Sequence, residues 1–98
     1  MTLTNDLTRL APQVAQTAPA RAAYKAMIQS ADDAIARGWT LRKGSSGTSA
    51  RNGKTHIYAS KDGEETRIWS GARMSAGFFR PLTSVTLGQI KDSIVALS

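Results

Sequence analysis

Two periods divide the chain. Over residues 18–37 apolar side chains return every three or four positions. Tyr24, Ile28, Ala31 and Ile35 form one stripe, and Arg21, Lys25, Gln29, Asp32 and Asp33 fall mostly on the other side. This pattern predicts a helix over about 18–37. Thr17 is placed to cap its first amides, and Pro19 is tolerated in a first turn whose N–H groups have no helical partner. Gly38 then supplies a left-handed residue just past the end. A shorter pattern, Leu3, Leu7 and Leu10, predicts a helix over about 3–11 that Pro12 stops.

From Gly38 the period falls to two. Trp39 and Leu41 alternate with Thr40 and Arg42. Ile57 and Ala59 alternate with His56, Tyr58 and Ser60, and Thr66, Ile68 and Ser70 with Arg67 and Trp69. Asp62-Gly63 and Asn52-Gly53 fit the positive backbone angles of tight hairpin turns. A small antiparallel meander of three to four strands is expected over about 38–70. After Gly71 the pattern loosens into a loop with Gly77, Phe78, Phe79 and Pro81. Thr86 and Gln89 then have the spacing of a capping box, and Val85 and Ile90 that of a hydrophobic staple. Leu87, Ile90, Ile94 and Leu97 give one apolar face, so a C-terminal helix is expected over about 87–97. The fold class implied is α+β, in one small domain spanning residues 1–98.

Composition narrows the setting. A chain that is 41% hydrophobic and 20% charged suits a folded soluble domain. Without cysteine it has neither disulfides nor thiolate metal sites. The first ten residues lack the apolar run of a secretion signal, and no apolar stretch is long enough to span a bilayer. The expected location is the cytoplasm.

Charge changes the picture more. The net charge is +6, and all of it comes from residues 37–80. There Arg37, Arg42, Lys43, Arg51, Lys54, Lys61, Arg67, Arg73 and Arg80 face only Asp62, Glu64 and Glu65, whereas the flanking segments are neutral. A segment of this kind attracts polyanions. Within it the stretch 42–54 is rich in glycine and serine and flanked by basic residues, so a flexible loop or linker is expected there.

Candidate chemistry is sparse. Gly47 and Gly53-Lys54-Thr55 approach a phosphate-binding loop, but five residues separate the glycines where four are needed. His56-Ile57-Tyr58-Ala59 also reads as strand where a helix is required. His56 is the single histidine and has no cysteine to join it at a metal. No spacing supports a Ser-His-Asp triad. Glu64 and Glu65 are adjacent in a strand, and so point to opposite faces. No catalytic residue, metal site or cofactor is expected, and the chain does not read as an enzyme.

The most specific stretch runs from Asp62 to Arg73: a turn, a strand ending in Trp69-Ser70-Gly71, and Arg73 in the loop beyond. With Tyr58 before the turn, this order resembles the C-terminal DNA-binding domain of the histone-like nucleoid-structuring (H-NS) family, over residues 54–98. Trp69 and Arg73 stand one residue closer than in that family, and Ala72 takes the place of its second glycine. The resemblance implies that Arg73 enters the minor groove of AT-rich DNA and that a short helix follows.

Together these features lead to a small basic protein that binds nucleic acid, with DNA the first candidate. Arg42, Lys43, Arg51, Lys54 and Arg67 are expected on phosphates, Trp69 on the same face as Arg67 for stacking on bases, and Arg73 in the minor groove. The alternative is a phage- or mobile-element-type protein-binding module or inhibitor, docking on an acidic or nucleoprotein partner. The helix face of Tyr24, Ile28 and Ile35 suits either a core or the seam of a homodimer.

Overall fold

The structure is a computed structural model that describes residue 11 and residues 14–47, 53–72 and 82–97. The helix expected over 3–11 lies outside the described residues but for Ala11, as does the loop over 73–81. What is described is α+β in the order helix, three strands, helix.

Helix α1 spans Ala18–Ala36. Thr17 caps it, its hydroxyl accepting from the Ala20 N–H at 3.2 Å, and Pro19 sits in the first turn. At the other end Gly38 adopts φ 97°. The Gly38 N–H donates to the Ile35 carbonyl at 3.0 Å and the Trp39 N–H to that of Ala34 at 3.1 Å. These two bonds are the Schellman closure, which satisfies carbonyls the helix leaves unpaired. The buried face of α1 is Ala20, Met27, Ala31 and Ala34. It is rotated from the stripe expected of Tyr24, Ile28, Ala31 and Ile35. Small alanines let the second helix approach closely, so they take the inside. Tyr24 and Ile28 pack only partly against the core, and Ile35 is 37% exposed.

Helix α2 spans Ser84–Val95 and so starts three residues earlier than expected. Its cap is Thr83, not Thr86: the Thr83 hydroxyl accepts from the Thr86 N–H at 3.5 Å. The earlier threonine prevails because the residue before it is anchored. Leu82 is buried, bridges Val14 and accepts from the Ala15 N–H at 3.0 Å. Leu82 and Leu87 therefore hold the staple positions, both buried, whereas Val85 is 66% exposed. The two helices start at the same end of the molecule. At their far ends the Arg37 guanidinium donates to the Leu97 carbonyl at 3.2 Å. They thus run side by side in the same direction.

The sheet is a meander, β1 (Thr40–Ser46), β2 (Lys54–Lys61) and β3 (Glu64–Ala72), in that spatial order and antiparallel throughout. Asp62 (φ 55°) and Gly63 (φ 84°) make the two-residue turn between β2 and β3. The stretch expected to be flexible from residue 42 is strand as far as Ser46, because each residue from Thr40 to Ser46 pairs with β2. Both helices cover one face of the sheet. Leu41, Ile57 and Ala59 pack there with Met27, Leu87, Ile90 and Ile94. Burying a leucine, isoleucine or methionine side chain stabilises by about 1.5–3 kcal/mol. The pairing of β2 with β3 steps from Ile57↔Trp69 to Tyr58↔Arg67, leaving Ile68 as a bulge. No helix among the described residues is long and apolar enough to cross a membrane.

Candidate functional site

The sheet face turned away from the helices carries three basic side chains and one acidic one among the described residues. Along β1 it presents Arg42, Gly44 and Ser46, along β2 Lys54, His56 and Tyr58, and along β3 Glu65, Arg67 and Ser70, as strand alternation and the register require. Arg42, Lys54 and Arg67 are exposed. Three of the expected phosphate contacts are thus gathered on one surface.

At its centre Arg42 lies over the ring of Tyr58, its guanidinium carbon 4.1 Å from the ring centroid. The same guanidinium makes a two-pronged pair with Glu65, at 2.7 and 3.2 Å. The hydrogen bond to Glu65 raises the Arg42 pKa, and the bond from Arg42 holds the Glu65 carboxyl below its ordinary value. Gly44 makes room for this stack. A β-carbon there would come within 2.9 Å of the Tyr58 ring. Arg67, directly across from Tyr58, has no ion pair among the described residues.

Two expected residues are elsewhere. Lys43 pairs with Ile57 and so lies on the helix side. Trp69 also faces the helices, against the expectation that it shares the face of Arg67. The bulge at Ile68 is the cause: one extra residue shifts Trp69 opposite Ile57, and it packs against the core. Its ring lies over Gly71. Arg51 and Arg73 lie outside the described residues.

The same bulge makes a contact that the sequence pattern hides. Extending the turn register from Lys61↔Glu64 without a break would set Trp69 opposite His56. With the bulge, Ser70 stands there instead. His56 is only 6% exposed. Its Nδ1 is 2.7 Å from the Ser70 hydroxyl, and its Nε2 is 2.8 Å from that of Ser46. One histidine on the middle strand thus joins serines from both outer strands. The available signal was a histidine at a mid-strand position facing two serine-bearing strands, and it carried no register.

The residues after Gly53 form strand from Lys54 onward, so no helix N-terminus faces that glycine. Among the described residues no group of three or more histidine, aspartate or glutamate side chains could hold a metal ion. A shallow groove of about 600 Å³ lies on the other side of the molecule, with Val14, Tyr24 and Ile28 in its lining and Arg21 and Lys25 beside them. No family model, curated protein or solved structure matches this chain.

Proposed function

We propose that the protein binds nucleic acid, DNA in the first instance, through the sheet face turned away from α1 and α2. It acts in the cytoplasm by binding rather than by catalysis. The observation that carries this reading is the convergence of Arg42, Lys54 and Arg67 on that one face. Such contacts hold phosphates and release counterions, so they bind with little regard to sequence. The aromatic rings give a preference. Tyr58 is covered by Arg42, and Trp69 is turned to the helices. With one face of Tyr58 taken by Arg42 and Trp69 packed against the core, stacking on bases is hindered, which favours a duplex held by its backbone over a stacked single strand. The H-NS-like order of Trp69, Ser70, Gly71 and Arg73 adds Arg73 as the minor-groove contact and AT-rich DNA as the preferred duplex.

Fluorescence anisotropy at several salt concentrations, with AT-rich duplex, GC-rich duplex and single strand, tests it. The expected result is duplex binding that weakens steeply with salt, with Arg67→Ala lowering the salt slope by about one. Binding that keeps full strength at high salt would refute the electrostatic account.

The groove favours a second reading, a phage- or mobile-element-type module for an acidic protein partner. Its floor of Tyr24 and Ile28 is apolar, and Arg21 and Lys25 border it. A homodimer through Tyr24, Ile28 and Ile35 is the case in which that partner is a second copy. A protein purified free of nucleic acid, with no affinity for any oligonucleotide at low salt, moves the conclusion to this reading.

A further inference from the structure

Ser46, His56 and Ser70 form a chain across the three strands, and the polarity of that chain depends on one proton. A neutral imidazole has one donor and one acceptor nitrogen. It must therefore draw one serine hydroxyl inward as a donor. An imidazolium has two donors. Both serine oxygens then accept from the ring, and both O–H groups are free to turn outward. Ser46 and Ser70 are exposed residues on either side of the buried ring, within reach of an anion from solvent. Lys54, exposed on the same face, stands directly across from Ser46 in the β1–β2 register, where opposed side chains are near neighbours.

We propose that Ser46, His56, Ser70 and Lys54 form a seat for a tetrahedral oxyanion, such as a phosphate of a nucleic-acid backbone, and that filling it is coupled to protonation of His56. This deepens the phosphate-binding reading given above, and for nucleic acid it rests on that reading. The charged environment supports the coupling. On β2 itself His56 is flanked by Lys54 and by Tyr58, whose ring meets it edge-on at 6.1 Å between centroids. From β1 it meets Ser46, with Arg42 further along over Tyr58. From β3 it meets Ser70, with Arg67 beyond, opposite Tyr58. Among the described residues the carboxylate on this sheet face is Glu65, and it is bound to Arg42. No described carboxylate pairs with His56, so an incoming anion is what compensates an imidazolium there. Linkage is reciprocal: if the anion favours the protonated ring, lowering the pH through the histidine range strengthens anion binding.

The chain has one histidine, so its ring signals in an NMR spectrum are unambiguous. The first arm follows them from about pH 5 to 8, in chloride and in sulfate at matched ionic strength. Sulfate keeps its charge over that range and stands in for phosphate. The expected result is a higher titration midpoint in sulfate, by about one pH unit if the anion prefers the protonated ring tenfold. The Ser46→Ala/Ser70→Ala double variant, which keeps the histidine, should lose that rise. The second arm measures duplex DNA affinity at fixed salt, at one pH below and one above the His56 midpoint found in the first arm. Wild-type affinity should rise towards the lower pH, by at most about tenfold per pH unit for one proton taken up. His56→Gln should abolish this dependence and keep the salt slope. An equal midpoint in both salts overturns the proposal, and duplex binding that is then salt-steep but flat with pH leaves the nucleic-acid reading standing. A sulfate-dependent rise without any DNA binding supports the seat and refutes nucleic acid as its ligand.

Discussion

The ring of Trp69 lies over Gly71, two residues further along the same face of β3. The glycine is there for space, because a β-carbon at that position would collide with the six-membered ring. Gly71→Ala is therefore expected to push the indole off its place or bend the strand. The cost should be about 1–3 kcal/mol, as for other overpacked sites. Urea unfolding followed by tryptophan fluorescence measures it. An unchanged midpoint would mean that the ring moves aside freely.

Gly63 poses the opposite case. Nothing lies within 4 Å of a β-carbon built there, but its φ is 84°. Gly63→Ala is expected to lose about 1–2 kcal/mol from backbone conformation alone. Asp62→Asn should be nearly neutral, because asparagine adopts the same left-handed conformation readily. Thermal unfolding of both variants checks the pair, and equal losses would contradict this account of the turn.

Gly88 should respond in the other direction. It lies inside α2, and a β-carbon there meets nothing within 4 Å. Glycine in a helix interior costs about 0.5–1 kcal/mol relative to alanine. Gly88→Ala is accordingly expected to raise stability by that amount, seen as a higher urea midpoint with an unchanged m-value. A lower midpoint would show that α2 needs the glycine for closer packing.

The Arg42–Glu65 pair sets a pH dependence whose sign follows from the carboxyl. Its folded pKa is lowered, first by the hydrogen bond from Arg42, relative to the ordinary value of 4.5. Its contribution to stability is therefore present above the unfolded value and lost as pH falls through the folded one. NMR titration should place Glu65 below 4.5, and Arg42→Gln should move it back up. Glu65→Gln should also tighten duplex DNA binding, because it frees the Arg42 charge. Weaker binding by that variant would mean that the carboxylate positions Arg42 productively.

Elements with strong local signals were legible in the residues. Thr17, Pro19 and Gly38 bound the first helix, and Asp62-Gly63 set the hairpin, because each acts within a few residues of its own position. Helix faces were less legible. The apolar stripe of Tyr24, Ile28 and Ile35 is the more hydrophobic one, yet the alanines are buried, since close approach of α2 outweighs side-chain size. The start of α2 was misplaced because two threonines could cap it, and the anchor on Leu82 comes from Val14, far away in sequence. The site suffered most from one residue. Period-two alternation carries no sign of a bulge, so it sent Trp69 to the wrong face and left Ser70 out of reach of His56.

The two ties at the helix ends also bear on how the chain reaches this form. The hairpins close over short loops, whereas Arg37 meets Leu97 across 60 residues, and Val14 meets Leu82 across a comparable span. Contacts of such separation carry the larger loop-closure entropy and slow the search. The expected sequence of events is a meander that forms early and a last helix that docks late. A protease acting on the opening of that helix alone would find Leu87, Ile90 and Ile94 uncovered while the sheet is still paired. Native-state hydrogen exchange should accordingly show α2 opening at lower free energy than β2.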